Sequence, residues 1–105
     1  MNKIGPLTYT TSPSEQITLT FILSRPNLQV QLSDNAGPFQ SAADAFAFEM
    51  GAGVGATRQI RVSVTGVDGD SCGVLVRGKT GLPDFDPVVI TLIPTELRHY
   101  NFSVV

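Results

Sequence analysis

The sequence predicts an all-β protein, a single antiparallel β-sandwich of about seven or eight strands over residues 1–105. Three observations lead to this prediction. Apolar and polar residues alternate with a period of two in several runs, as they do in strands that bury one face. Turn-forming residues separate these runs. A length of 105 residues with 42% hydrophobic residues suits one domain with its own core.

The alternating and β-rich runs define seven strands. Ile17, Leu19 and Phe21, for example, alternate with two threonines in the second of them. The run at residues 73–77 and the run at residues 88–93 are rich in β-branched residues but do not alternate cleanly. Such strands lie centrally in a sheet, or contact both a core and a neighbouring surface. The predicted strands lie near residues 7–10, 16–24, 27–33, 58–66, 72–78, 87–93 and 99–105.

Residues 41–50 fit two structures. Ser41 and Asp44 have the spacing of a helix-capping box, and the alanines between them and beyond favour a helix. Phe46, Phe48 and Met50 alternate as in a strand. We favour an eighth strand from about residue 44 to residue 50.

Turn signals stand between the strands, but they do not fix the strand order. They occur at Arg25–Asn27, Asp34–Pro38, Asp68–Asp70 and Gly81–Asp84. Jelly-roll and immunoglobulin-like sandwiches have nearly the same inventory of strands. Both topologies therefore remain open. The last residues stay apolar, so we expect the C-terminal strand to be held inside a sheet.

Charge and cysteine content exclude several classes of function. Seven basic and nine acidic residues give a net charge of −2, which argues against a sequence-independent nucleic-acid binder. The single cysteine forms no internal disulfide. No apolar run reaches the roughly 18–20 residues of a membrane-spanning helix. The start of the chain as given shows no apolar stretch typical of a secretory signal, and we favour a virion or an extracellular surface as its location.

The segment Gly51–Ala56 has the spacing of the G-x-G-x-x-G/A dinucleotide fingerprint. In that fingerprint a helix follows the glycines, and its N-terminus faces the pyrophosphate. Here the following residues, 57–66, alternate and are β-branched, which predicts a strand. We therefore interpret the glycine-rich segment as a connection between strands and predict no nucleotide cofactor.

The run Gly69-Asp70-Ser71-Cys72-Gly73 resembles the GDSGG segment around the nucleophile of trypsin-like serine proteases. The family has glycine where this chain has Cys72, and it has about twice this length. It also needs a histidine and an aspartate before the serine, whereas the only histidine here is His99. We therefore interpret the run as a turn that leads into a strand.

Two pairs of aspartates suggest a calcium site. Asp68 and Asp70 form one D-x-D, and Asp84 and Asp86 form another. Calcium prefers several oxygen ligands, which clustered carboxylates supply. If both loops lie at the same end of the sandwich, the four carboxylates converge. The alternative is that aspartate is simply favoured in turns.

Other reactive residues give no catalytic constellation. Nothing in the sequence brings Cys72 and His99 together as nucleophile and base, and a single histidine does not suit a metal site of the cupin type. Asn101-Phe102-Ser103 has the form of a glycosylation sequon, but it lies in a predicted strand. We therefore predict no catalytic residues and no enzymatic activity.

The leading hypothesis is a non-enzymatic structural or assembly protein of the virion type, such as a capsid-decorating, tail or fibre subunit. The predicted outward positions carry neutral hydroxyl and amide side chains: Thr18, Thr20, Gln29, Gln31, Ser63 and Thr65. The chain has only two lysines to protect sheet edges. A weakly charged β domain suits contact with other copies or with another structural protein.

The alternative hypothesis is an accessory binding module of a secreted enzyme, for carbohydrate or linked to calcium. Residues 66–80 resemble the strand-turn-strand of bacterial pre-peptidase C-terminal domains, which also carry acidic loops. Sugar-binding surfaces rely on exposed aromatic residues. This chain has no tryptophan and only two tyrosines, Tyr9 and Tyr100, which argues against carbohydrate binding. A small enzyme on a β scaffold is the third hypothesis.

Overall fold

The computed structural model describes residues 7–12, 15–24, 28–42, 44–50, 53–78, 84–90 and 95–104. These residues form strands and connections and contain no helix, so none of them belongs to a helix able to cross a membrane. The strands are β1 (Leu7–Thr11), β2 (Gln16–Leu23), β3 (Gln29–Asp34), β4 (Gln40–Ser41), β5 (Ala45–Glu49), β6 (Thr57–Thr65), β7 (Ser71–Arg77), β8 (Asp84–Val89) and β9 (Thr95–Val104).

The strands form two sheets that pack face to face. The five-stranded sheet has the order β1-β9-β6-β3-β4, and the four-stranded sheet has the order β5-β2-β7-β8. All neighbouring strands are antiparallel except β1 and β9, which run parallel. The prediction of a wholly antiparallel sandwich is therefore wrong for this pair. Parallel neighbours need a long connection, and here most of the chain lies between the two strands.

The core lies between the sheets and is built from the inward positions of the alternating strands. Ile17 and Leu19 of the four-stranded sheet and Ile60 and Val62 of the five-stranded sheet belong to the same core cluster, and all four are fully buried. Aromatic rings join the layers, because Phe102 of β9 stacks on Tyr9 with centroids 5.3 Å apart and meets the edge of Phe48 from β5 at 5.2 Å. Edge-to-face and stacked ring pairs stabilise a core beyond their buried area.

The strand predictions are largely confirmed. All seven predicted strands are present, and Ala45–Glu49 forms the eighth by pairing with β2, so the helical alternative for residues 41–50 is wrong. The chain has a ninth strand, because Gln40–Ser41 pairs with β3. This strand has only two residues, both exposed, so the sequence shows no alternation that would predict it. β8 and β9 begin earlier than predicted. β8 ends at Val89, and residues 91–93 of the predicted strand 87–93 lie outside the described residues. β9 is held between two neighbours as expected. The predicted turns at Arg25–Asn27 and Gly81–Pro83 lie outside the described residues.

The turn between β3 and β4 has a left-handed backbone at two positions. Asn35 and Ala36 have φ values of 52° and 66°, and the Gly37 amide donates to the Asp34 carbonyl oxygen at 3.0 Å. Two successive positive φ values are those of a type I′ turn. Asparagine tolerates this conformation, but alanine does so only at a cost because of its Cβ.

We expect Ala36→Gly to raise the free energy of unfolding by about 0.5–1 kcal/mol, since the left-handed penalty it removes exceeds the entropy it adds to the unfolded chain. Urea denaturation measures the change. The control is Ala47→Gly in the exposed part of β5, which should lower the stability by about 0.5–1 kcal/mol because glycine weakens a strand. A loss of stability in both variants would contradict the account of the turn.

Candidate interaction surface

The outer face of the four-stranded sheet is apolar across three neighbouring strands. The strand register aligns Leu75 with Phe85, and Gly73 with both Ile22 and Pro87. Val89 follows on the same side of β8. Phe85 is 47% exposed and Val89 is 54% exposed. We call this surface the apolar face; it consists of Ile22, Gly73, Leu75, Phe85, Pro87 and Val89.

Strand β8 carries its polar and apolar residues on the unexpected sides. Asp84 and Asp86 point inward, whereas Phe85, Pro87 and Val89 point outward. A strand with one solvated face normally has the opposite pattern. The inversion means that folding of this chain alone leaves the apolar side of β8 in water. Exposed apolar patches are candidate surfaces for contact with another molecule.

The Phe85 ring extends over β7 because the residue beneath it is a glycine. A Cβ atom added to Gly73 would collide with the Phe85 ring. The ring therefore fills the space that a side chain at position 73 would take, as aromatic residues do over glycines in sheets. This packing places the Phe85 ring over β7, the middle of the three strands that form the apolar face.

β8 is an edge strand, and its edge contains a proline. Pro87 has no backbone N–H to donate to an added strand, which discourages sheet extension at this edge. The apolar residues of β8 therefore favour contact through the face of the sheet over pairing along its edge.

A buried polar cluster lies on the inner side of β8; we use the name polar cluster for Asp86, Tyr100 and Arg98. The Tyr100 hydroxyl donates to Asp86 Oδ2 at 2.6 Å, and Arg98 Nη1 lies 3.5 Å from Asp86 Oδ1. Asp86 is fully buried. Burial, followed by the hydrogen bond to Asp86, raises the pKa of the Tyr100 hydroxyl well above its usual value. A buried carboxylate of this kind is stable only with such partners.

A second tyrosine joins β8 to the edge of the other sheet. The Tyr9 hydroxyl of β1 donates to Asp84 Oδ2 at 3.0 Å. Burial and then this hydrogen bond raise the pKa of the Tyr9 hydroxyl. Through Tyr9 and Tyr100, both aspartates of β8 are tied to β1 and β9 of the five-stranded sheet. The polar cluster therefore fixes which side chains of β8 face outward.

The opposite outer face has a different character. Alternation along β3, β6 and β9 directs mainly hydroxyl and amide side chains outward, with Leu97 the large apolar exception among the described residues. We call this surface the polar face. The outward residues that the structure describes on these three strands are Gln29, Gln31, Ser33, Thr57, Gln59, Arg61, Ser63, Thr65, Leu97, His99, Asn101 and Ser103. Thr18 and Thr20 of the other sheet are only partly exposed.

A cavity lies between β4 and β5, and the one ionisable side chain in its described lining is Asp34. Its volume is about 180 Å³, and its described lining includes Leu32, Phe46 and Asp34. Asp34 forms an ion pair with Arg58 and accepts a hydrogen bond from Arg58 Nε at 2.8 Å. This hydrogen bond is the main cause of the raised pKa of Arg58. The charge in the cavity is thus already compensated.

The structure does not bring the four aspartates of the predicted calcium site together. Asp68 is exposed in the turn before β7, and Asp70 accepts a hydrogen bond from the Val67 amide in the same turn. That turn contacts Ile90, just beyond β8. Asp84 begins β8 and lies six residues before Ile90, which places it roughly 20 Å from this turn at about 3.3 Å per residue. No group of three metal-ligating side chains occurs among the described residues.

Cys72 and His99, the residues considered as a nucleophile and a base, lie on different sheets. Cys72 points into the core from β7, whereas His99 is on the outward side of β9. Ser71 begins β7, at the end of the turn that the GDSCG run predicts. Asn101 and Ser103 lie in β9, as predicted for the sequon residues, and the strand β6 follows the glycine-rich segment where the dinucleotide fingerprint requires a helix.

The residues that form the apolar face and the polar cluster are not among the site residues predicted from the sequence. The signal for both is the phase of the alternation in Asp84-Phe85-Asp86-Pro87-Val88-Val89, which places the two aspartates on one side. The predicted strand begins near residue 87, so it does not include Asp84, Phe85 and Asp86, whose alternation shows this phase.

Comparisons with models of protein families, with curated proteins and with solved structures found no match for this chain.

We expect Tyr100→Phe to lower the free energy of unfolding by about 1–3 kcal/mol, because Asp86 loses a donor while it stays buried. The matched control is Tyr9→Phe, whose partner Asp84 reaches solvent and which should cost less than about 1 kcal/mol. Chemical denaturation of both variants gives the comparison. Equal small losses would show that Asp86 does not depend on the tyrosine.

The Cys72 thiol should be unreactive in the folded protein. Burial, followed by the charge of Asp86, raises its pKa to about 11. The folded state therefore binds this proton more tightly than the unfolded chain, and the resulting stability is complete below about pH 9 and declines as the pH rises towards 11. At pH 8 a disulfide reagent should label Cys72 only after urea is added. Rapid labelling of the native protein would contradict the burial.

Proposed function

We propose that this chain is a non-enzymatic structural protein that assembles through its apolar face. The inverted alternation of β8 carries the proposal, because it leaves Phe85, Pro87 and Val89 outside the core of the chain. Interface centres are depleted in charge and enriched in aromatic residues. The apolar face has a phenylalanine at its centre and no charged residue among its members.

The occupant that we propose for the apolar face is a second copy of this chain. In a symmetric dimer each residue near the two-fold axis meets its own counterpart, so a charged face would repel itself. The apolar face has no such charges, and the net charge of −2 gives little long-range repulsion. Two copies can therefore pack their apolar faces against each other, with the exposed charge of Arg77 beyond Leu75, outside the apolar face.

The expected dimer is weak. The apolar face covers three strands spaced about 4.8 Å apart and roughly 15 Å along β8. This footprint is well below the ~800 Å² per partner of a standard stable interface. Such a contact becomes strong when many copies are held on one particle, since linked weak contacts add. This property suits the virion-type role of a capsid-decorating, tail or fibre subunit, with its own copies or another structural protein as partner.

The strand order favours the immunoglobulin-like topology over the jelly roll. The neighbours β3-β6-β9 have the order of strands C, F and G in an immunoglobulin domain, and β2-β5 has that of B and E. The hairpin of β7 and β8 is then an insertion between F and G. This insertion supplies most of the apolar face. The proposed contact surface therefore lies mainly on strands that an immunoglobulin domain does not have.

The test is light scattering of the purified protein over a range of concentrations. We expect the average mass to rise towards that of a dimer with concentration. Val89→Asp should weaken association by about tenfold or more, because each copy then buries an unpaired charge. Val67→Asp is the matched control, since Val67 is 56% exposed against 54% for Val89 but lies outside the apolar face. It should associate as the unaltered chain does.

Three results would contradict the proposal: a constant monomer mass at all concentrations, the same loss in both variants, or undiminished association of Val89→Asp. Circular dichroism and thermal unfolding confirm that both variants are folded. Both substitutions are at exposed positions, so neither should disturb the core.

A further inference from the structure

Arg61 is held rigidly at the centre of the polar face. The strand register places it between Ser33 of β3 and His99 of β9. Its Nη2 donates to Ser33 Oγ at 3.0 Å, and its guanidinium carbon lies 5.0 Å from the centre of the Phe39 ring. Ser33 Oγ in turn donates to the carbonyl of Gly37. A guanidinium fixed in this way loses little freedom on binding a ligand.

Arg61 has no acidic partner among the described residues, in contrast to two other arginines. Arg58 pairs with Asp34, and Arg98 pairs with Asp86. The Nε atom of Arg61 is buried and makes no hydrogen bond. The register assigns no aspartate or glutamate to the described part of the polar face. This face is therefore locally positive although the chain carries a net charge of −2.

Neutral hydrogen-bonding groups surround Arg61. Gln59 and Ser63 flank it on the same side of β6, and Gln31 lies beside Ser63. The Gln59 amide donates to Asn101 Oδ1 at 3.1 Å, which fixes both side chains. Amides and hydroxyls both donate and accept hydrogen bonds, as sugar hydroxyls do. Phe39, which is 40% exposed, adds an apolar ring at the border of this area.

The groups on the polar face determine the class of ligand. A guanidinium binds a carboxylate through two parallel hydrogen bonds. A protein partner needs an apolar centre that excludes water, whereas the exposed apolar side chains described near Arg61 are only Phe39 and Leu97. A carbohydrate needs repeated hydrogen-bonding groups, and these are present. The combination therefore favours an acidic carbohydrate over an acidic peptide.

We propose that the polar face binds an oligosaccharide that carries carboxylate groups, with Arg61 holding a carboxylate and the neighbouring amides and hydroxyls binding the sugar hydroxyls. The site is on the sheet opposite the apolar face. Carbohydrate binding and self-association are therefore separate properties, and either can fail without the other.

The test is calorimetric titration of the full chain with a linear oligogalacturonate. Two comparison ligands isolate its features: a neutral malto-oligosaccharide of the same length lacks the carboxylates, and polyglutamate lacks the sugar. We expect the oligogalacturonate to bind about tenfold or more tightly than either one, since a charge-assisted hydrogen bond contributes at least that factor.

Variants locate the binding on the polar face. Arg61→Gln should weaken oligogalacturonate binding by about tenfold or more, and Arg61→Lys should lose part of it because lysine keeps the charge without the planar fork. Arg77→Gln removes an exposed charge from the outer side of the other sheet and should leave binding unchanged. Val89→Asp should also bind normally. Thermal unfolding verifies that the variants fold.

The proposal is overturned by absent oligogalacturonate binding, by polyglutamate or the neutral sugar binding equally well, or by equal losses in Arg61→Gln and Arg77→Gln. If Arg61→Gln does not fold, Arg61→Lys decides, because it retains a cation at the site: unchanged affinity would show that the guanidinium is not used.

Discussion

The hydrogen bond from the Tyr100 hydroxyl to the buried carboxylate of Asp86 determines how β8 is oriented. Successive side chains of a strand point to opposite faces, so an inward Asp86 requires an outward Phe85 and Pro87. A slip by one residue would bury Phe85 but would turn Asp86 away from Tyr100 and Arg98. The polar cluster on the inside therefore maintains the apolar face on the outside, and the proposed contact surface depends on it.

Most of the framework follows from local sequence. Ile60, Val62 and Val64 are inward and fully buried, as their alternation predicts, and Ala45–Glu49 is a strand because Phe46 and Phe48 alternate. The parallel pairing of β1 with β9 could not be predicted, since alternation says which face of a strand is buried and not which strand lies beside it. The two-residue strand β4 is too short to show a period.

The candidate surfaces are harder to predict from the sequence than the strands are. The two D-x-D pairs suggest a calcium site, but Asp84 and Asp86 lie within a strand and face two tyrosines from distant parts of the chain. Alternation along β6 places Arg61 on the outward side of its strand, but the role of Phe39 and Ser33 in fixing it depends on the fold of the β3–β4 turn. Such contacts are tertiary and leave no periodic signal.

The two outer faces of this sandwich thus differ in kind, and we assign contact between copies to the apolar one. Hydroxyl-radical footprinting of the unaltered chain at low and high protein concentration tests this assignment most directly. The account predicts that Phe85 is oxidised in dilute solution and protected in concentrated solution, while Phe39 and Leu97 on the other side are oxidised equally in both. Equal oxidation of Phe85 at all concentrations would contradict it.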